Sequence, residues 1–394
     1  MPRPLPQDSI RYLALIALFA GLPALGTDIA LPGVPQIAAG LGVPEGKIGL
    51  TLSAFMAGFA ISPLVYGPLS DRFGRRPIIL VATAIYAIGG VACALAGDFE
   101  TLVAWRFIQG WGAGASRAVA SAIIRDLFTG PMARAKQSYV SVMQLLAPLT
   151  APTIGATLLL LTGTWRSSYL FLAGTGALAF LLMALFYVET FKPGTQNALS
   201  PRQLARNYAR VLTTRQSRRF LMVQTLMFGC LFSYVSGSPL VAMGVYGLSP
   251  SLYGATFALT ASGIVTGSFV NGRLNARGID PRRPLTFGLA MGFTTTALLV
   301  LLAAAGHLPL AVFLTLVVLT TVSFGLISGN AVQLALEPMG DIAGLTSSVI
   351  SASSLGFGAI VGVIVPLMHD GTPLATAIGM ASCAAAAAIA YRKL

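Results

Sequence analysis

The sequence predicts an all-α integral membrane protein of 12 transmembrane helices arranged as two pseudo-symmetric six-helix halves. Three observations lead there. Of 394 residues, 55% are hydrophobic and only 9% charged, against about 25% charged in a soluble domain, whose surface needs them to stay wet. Apolar runs long enough to cross a bilayer follow one another along the whole chain, and mean hydropathy is +0.79. One long polar stretch, residues 190–218, divides these runs six and six. A soluble enzyme, a nucleic-acid binder and a disordered chain are excluded, because most of this surface needs lipid as its solvent. The net charge of +13 does not indicate nucleic acid. The basic residues form no dense patch but sit in short clusters between apolar runs, as the flanks of membrane spans do.

A helix needs about 20 apolar residues to cross the hydrocarbon core. Such runs fall at residues 11–32, 48–68, 77–97, 101–124, 137–161, 168–188, 219–245, 252–272, 284–304, 308–334, 343–367 and 371–391. The first reads as a retained helix rather than a cleaved signal peptide, since Pro-rich sequence follows it and no clear cleavage site does. Turn residues punctuate the rest: Pro44 with Gly46, Gly97 with Asp98, Gly130 with Pro131, Gly163, Ser249 with Pro250, and Gly306. Membrane strands are excluded, because the runs are too long and too uniformly apolar for their alternating pattern. Cys93, Cys230 and Cys383 lie inside apolar runs with no CxxC spacing and no neighbouring His. They read as small buried hydrophobes, not as disulfides or metal ligands.

Orientation follows from Lys and Arg, which accumulate on the cytoplasmic side. With the amino terminus inside, the inner segments hold 21 of the 25 basic residues: Arg3 and Arg11; Arg72, Arg75 and Arg76; Arg125, Arg134 and Lys136; Lys192, Arg202, Arg206, Arg210, Arg215, Arg218 and Arg219; Arg273, Arg277, Arg282 and Arg283; Arg392 and Lys393. Outer loops hold only Lys47 and Arg166, and Arg106 and Arg117 fall inside the fourth span. An even span count then puts both termini in the cytoplasm. Residues 1–189 form the first half, 190–218 a cytoplasmic linker with an amphipathic helix on the inner leaflet, and 219–394 the second half.

The halves echo one another. Gly67, Leu69 and Arg72 after the second span align with Gly272, Leu274 and Arg277 after the eighth at a constant offset of 205. Duplicated transporters read this way, with the substrate site between the halves. The first of these segments is the strongest local signal: Gly67-Pro-Leu-Ser-Asp71-Arg72-Phe-Gly74-Arg75-Arg76-Pro77. Its glycines allow a tight turn and close approach, and Asp71 can pair with a basic side chain or cap a helix N-terminus. A plain positive-inside anchor explains the arginines but not the Gly–Asp–Gly spacing.

This segment resembles the loop signature of the major facilitator superfamily. Further segments agree: Arg106-Phe-Ile-Gln109-Gly110 in the fourth span, Ala147-Pro148-Leu-Thr-Ala151-Pro152-Thr-Ile-Gly155 in the fifth, similar to the antiporter motif, Asp28-Ile-Ala-Leu31-Pro32-Gly-Val-Pro35 closing the first, and Gly340-Asp-Ile-Ala-Gly344 entering the eleventh. The last two resemble the bicyclomycin-resistance and chloramphenicol-efflux branch. Ile29-Ala30 replaces the aromatic usual after the Asp, Ala151 stands where many members have Gly, and Arg117 is outside the signature. The resemblance implies the major facilitator fold and proton-coupled export of small drug-like molecules by alternating access.

The residues bear on that chemistry independently. Of 12 acidic residues only Asp28 falls within a span. A carboxylate there costs about 2.5–3.5 kcal/mol on insertion scales, and desolvation favours its neutral form, as a proton carrier requires. Asp28 also lies 17 residues past Arg11, about 25 Å along a helix, so it can instead cap the turn around Pro32 and Pro35. Arg106 and Arg117 are three turns apart on one helix face with Gly110, Ala113 and Gly114 between them. They face inward, toward substrate, or toward backbone carbonyls or Asp28. Pro148, Pro152 and Gly155 interrupt the fifth span, as a passive kink or as a gating bend. Asp126 closes the fourth span within reach of Arg72, an inner-gate ion pair. Gln109, Gln144, Tyr234 and Asn330 are further cavity candidates, although such residues also hydrogen-bond between helices. No nucleotide-binding loop or metal spacing is present.

The reading is a secondary multidrug efflux transporter of the bacterial inner membrane and not an enzyme, exchanging protons for small amphipathic drugs. The proton gradient is its energy source, with no cofactor. Its partners are drug, protons and the lipid bilayer, with no nucleic acid and no obligatory protein partner. The alternative is a proton-coupled or facilitative transporter of an endogenous metabolite.

Overall fold

Apolar backbone that meets lipid must satisfy its own N–H and C=O groups, which leaves the helix as the open-ended solution. The computed structural model describes residues 9–128, 130–190 and 201–393 and is helical throughout, with no strand among the described residues. Contacts divide the chain into two compact units, one of Met1–Val43 with Leu50–Ala198, the other of Pro44–Gly49 with Leu199–Leu394.

The first unit contains α1 (Ile10–Asp28), α2 (Val34–Leu41), α3 (Glu45–Phe73, whose first residues group with the second unit), α4 (Arg75–Leu95), α5 (Phe99–Leu127), α6 (Gly130–Thr162) and α7 (Arg166–Phe186). Side-chain caps start several helices. The Ser9 hydroxyl accepts from Tyr12 N at 3.2 Å, and Asp98 Oδ1 accepts from Thr101 N at 2.8 Å, each satisfying an N–H that the helix cannot. The second unit contains α8 (Pro201–Thr213), α9 (Arg215–Pro239, continuing as π-helix through Val245), α10 (Pro250–Ala276), α11 (Arg282–Ala304), α12 (Leu310–Leu336), α13 (Ala343–Leu367) and α14 (Leu374–Lys393).

Apart from α2 and α8, these are the 12 long helices of the sequence reading. Among the described residues, eight stretches qualify as spans by length and hydropathy alone, one of which, Leu310–Leu367, holds both α12 and α13. Glycine-rich α5 and α10 are less apolar but 29 and 27 residues long. Large apolar side chains remain exposed along the helices, among them Leu161, Phe269, Phe287 and Leu301, as expected of surfaces solvated by lipid.

Each unit repeats the other's internal packing. In the first, α1 packs on α5, α6 and α7, and α4 on α5 and α7; in the second, α9 packs on α12, α13 and α14, and α11 on α12 and α14. Aromatic pairs tie the outer members of each set: Tyr12 of α1 stacks on Tyr187 just past α7 at 6.0 Å, and Phe220 of α9 meets Tyr391 of α14 at 6.2 Å.

Three local expectations are corrected. The first span does not run unbroken to residue 32: α1 stops at Asp28, and a 3-10 turn, Leu31–Gly33, leads into α2. Pro32 and Pro35 lack the N–H that would continue α1, yet each suits the first turn of a new helix. The segment from Gly67 to Phe73 is not a loop but the last turns of α3, and the break falls at Gly74 alone. Pro148 and Pro152 do not break the fifth span into separate helices: α6 runs through both for 33 residues, so any bend there lies within one helix. The apolar, helix-favouring surroundings hold the helix despite the missing donors.

Candidate functional site

In the first unit two polar assemblies stand out, one at the end of α1 and one where α3, α4, α5 and the exit of α7 meet. Asp28 is the last residue of α1 and is 5% exposed, the one buried carboxylate among the described residues. It takes part in none of the ion pairs found among those residues. The cap expected of it around the prolines is made by backbone instead: Gly33 N donates to Ala30 O at 3.0 Å.

Arg106 of α5 is 1% exposed and reaches the same end of α1. Its Nη2 donates to Gly26 O at 2.9 Å, its Nη1 to Gln109 Oε1 at 2.8 Å and its Nε to Thr51 O at 3.4 Å. Its guanidinium lies 4.4 Å from the centre of the Phe55 ring. Gly26 O is among the last four carbonyls of α1, which have no intrahelical donor, so a cation here satisfies both the acceptor and the helix dipole. Of the alternatives left open by sequence, Arg106 takes the backbone carbonyls, and its charge sits two residues along the chain from Asp28 without a direct ion pair. Gln109, 0% exposed, leaves its Nε2 donor without a partner among the described residues.

Close helix contact explains the small residues around them. A Cβ on Gly110 would run into the backbone carbonyl of Phe55, and one on Gly155 into that of Ile29, the residue after Asp28. Gly155 of the α6 motif therefore lets α6 lie directly on the end of α1. Pro152 is buried beside it and Pro148 half-buried. The side chains of Arg117 and Gln144 lie outside the described residues.

The second assembly centres on Arg75, whose side chain is 2% exposed. Its Nη1 donates to Asp71 Oδ1 at 2.5 Å and to Ser70 Oγ at 2.7 Å, and its Nε to Asp126 Oδ2 at 3.0 Å. The forked guanidinium thus ties α3 to α5. The ion pair of Asp126 is made with Arg75, not with Arg72 as the spacing suggested. Arg72, still on the last turn of α3, is exposed and lies against the ring of Phe73, whereas Arg75 follows the Gly74 break and turns inward.

Glu189 caps α4. Its two carboxylate oxygens accept from Arg75 N at 3.0 Å and Arg76 N at 2.9 Å, a negative charge on a helix N-terminus. Arg76 Nη2 in return donates to Ala184 O near the end of α7 at 2.7 Å. Gly74 makes this possible: it has φ 96 and ψ 163, a region nearly confined to glycine, and a Cβ there would lie 2.6 Å from Glu189 Oε2. Gly67 is different, lying inside the helix with open space where a Cβ would be. Sequence reasoning missed Ser70, Glu189 and Thr190, the last of which bridges Tyr187 and Asp126. The one signal available was an acidic residue closing an apolar span beside a basic loop.

The sequence model described as Major Facilitator Superfamily matches residues 16–366. The chain belongs to this superfamily. It is a membrane transporter and not an enzyme. It is 31% identical over 363 residues to the uncharacterized MFS-type transporter YdgK of Bacillus subtilis, covering 92% of this chain and 90% of that one. It is 28% identical over 387 residues, 98% and 96% of the two chains, to the bicyclomycin resistance protein homolog of Haemophilus influenzae. A multidrug resistance protein MdtL of Escherichia coli is 30% identical over 343 residues, covering 87% and 84%. Among solved structures, a bacterial homolog to the human lysosomal transporter Spinster, inward-facing and occupied, superposes with a TM-score of 0.77 over 98% of this chain and 95% of that one at 16% identity, a likeness of fold.

In the second unit of this major facilitator chain, Tyr234 and Asn330 are buried in helix contacts. The Tyr234 hydroxyl is 2.8 Å from Thr260 Oγ1, and its ring stacks on Phe257 at 5.9 Å. Asn330 exchanges amide hydrogen bonds with Asn271, 2.6 Å and 3.2 Å, and accepts from Asn275 at 2.9 Å. Both side chains hydrogen-bond between helices of this unit. Asn271 and Asn275 stand at the offset of 205 from Tyr66 and Ser70. The second unit thus holds the foot of α10 on α12 with neutral amides where the first holds α3 on α5 with charges.

Proposed function

We propose that this transporter exchanges protons for small amphipathic drugs by alternating access, in a bacterial inner membrane with both termini cytoplasmic. The observation that carries the reading is Asp28, the one buried carboxylate among the described residues, at the break that ends α1. A group so placed is stable when neutral and costly when ionised. Loading and losing a proton therefore changes the energy of the end of α1. Arg106 holds the same helix end through Gly26 O and positions it. Antiport needs proton and drug to favour opposite states or exclude each other. The end of α1, pinned by Arg106 and overlaid by α6 at Gly155, is where that choice is made. The names carried by the Haemophilus and Escherichia relatives support drugs as cargo. The energy comes from the proton gradient, with no cofactor and no protein partner required.

The network of Asp71, Arg75, Asp126 and Glu189 is assigned a different task, the latching of one global state. It is built from helix ends and touches neither Asp28 nor Arg106.

The test is transport by the purified wild-type chain in proteoliposomes. A pH gradient of one sign drives accumulation of a fluorescent cationic drug, reversal of the gradient drives its release, and drug addition alone moves protons the other way. Drug movement indifferent to the gradient, or proton movement triggered only by sugars, peptides or nucleosides, would sink the proposal in favour of a metabolite carrier.

A further inference from the structure

The connection between α10 and α11 is the counterpart of the one between α3 and α4, but its charges are left uncompensated. In the first unit Arg75 is neutralised by Asp71 and Asp126. In the second, Arg273, Arg277, Arg282 and Arg283 are all exposed, and none of them forms an ion pair among the described residues. The one carboxylate of the connection, Asp280, is occupied in accepting from the backbone N of Arg282 at 2.9 Å.

Beside Arg283 lies a cleft of about 270 Å³ lined by Val270 and Leu274 of α10, Ile279 of the connection, Pro284 and Phe287 of α11, and Leu326 of α12. Arg283 is its single charged lining residue, and its accessible interior is apolar. Val270 and Phe287 are 41% and 64% exposed on its rim, so it opens on the outer flank of the unit, where an integral membrane protein meets lipid. An apolar groove in that setting is filled by hydrocarbon. A fixed cation at its mouth selects hydrocarbon that carries an anionic head.

We propose that this cleft is a binding site for an anionic phospholipid, with one acyl chain between α10 and α11 and the phosphate on Arg283. Arg282, Arg277 and Arg273 supply surrounding positive potential. The lipid bears the charge that the first unit supplies from its own carboxylates. The site does not depend on what the transporter carries.

The full chain, purified in detergent, is titrated with dioleoylphosphatidylglycerol, with dioleoylphosphatidylcholine, and with inorganic phosphate. Bound lipid is counted by native mass spectrometry and stability followed by thermal melting. Phosphatidylglycerol is expected to bind saturably at one high-affinity site and raise the melting temperature, phosphatidylcholine to bind more weakly, and phosphate to do neither. Arg283→Gln is expected to weaken phosphatidylglycerol binding about fivefold, the value of one basic side chain near an anionic surface. Val270→Trp, which fills the cleft from its exposed rim, should remove the high-affinity site while leaving the lipid-free melting temperature unchanged. Arg202→Gln, on α8, should change neither. Equal binding of the two lipids, protection by phosphate matching that by phosphatidylglycerol, or wild-type affinity in both cleft variants would overturn the assignment.

Discussion

Asp71 is half of a charge-assisted contact with a buried guanidinium, and that contact joins residues four apart at the foot of α3 and just past its end. Hydrogen bonds to charged groups contribute about 1.5–3 kcal/mol. The Asp71 side chain is 42% exposed, which screens the pair toward the lower figure. If the pair exists in one global state only, Asp71→Asn shifts the equilibrium between states about tenfold. Transport turnover should fall by about that factor with equilibrium drug affinity nearly unchanged. Weakened affinity with normal turnover per bound drug would place Asp71 at the substrate site instead. Residues of this kind were legible in the sequence for a physical reason: a charge inside or beside an apolar run is costly, so Asp28, Arg106, Asp71 and Arg75 stand out without any structure. Partners were not. Nothing in the linear order joins Arg75 to Glu189, 114 residues away, and Ser70 looks like any other helix-end hydroxyl. The exchange of Arg72 for Arg75 as partner of Asp126 turned on the conformation of Gly74, which spacing alone does not encode.

At the scale of elements, length and hydropathy located the long helices because each must cross about 30 Å of hydrocarbon. They misplaced breaks where proline was the only guide. Pro32 and Pro35 start new helical turns, whereas Pro148 and Pro152 are carried inside α6; the residue is the same and the packing around it differs. The amphipathic α8 was legible from its arginines, but its anchor was not. Arg210 Nη1 on α8 meets Asp341 Oδ2 in the turn before α13 at 2.6 Å, and that hydrogen bond holds the Asp341 carboxyl below the usual carboxylate range. A lowered folded value means that the tether contributes fully above the ordinary Asp pKa of about 3.9 and is lost only as pH falls through the lowered one. Hydrogen exchange in α8 should therefore be independent of pH-linked opening from pH 8 to 5 after correction for intrinsic rates, and rise in stronger acid. Asp341→Asn should show the faster exchange already at pH 7. Identical protection in the variant would mean that α8 is held by its apolar face alone.

Across the whole molecule, the repeated packing of α1 with α5, α6 and α7, and of α9 with α12, α13 and α14, is the structural form of the short sequence match at offset 205. That match was visible only at one glycine, one leucine and one arginine; the rest of the duplication is carried by apolar residues that substitute freely for one another. The distribution of basic residues yields a further expectation. A reporter fused after Lys192 should read as cytoplasmic and one fused after Asp370 as periplasmic, and a periplasmic reading after Lys192 would invert the topology. In the proposed exchange, drug and proton exclude each other through Asp28. The most direct test is the number of protons released when drug is added to the purified chain in weakly buffered detergent solution, at a pH where drug binding is pH-dependent. The wild type should release up to one proton per drug bound, whereas Asp28→Asn should bind the drug, release none, and show affinity that no longer varies with pH. Proton release from Asp28→Asn equal to that of the wild type would contradict the account.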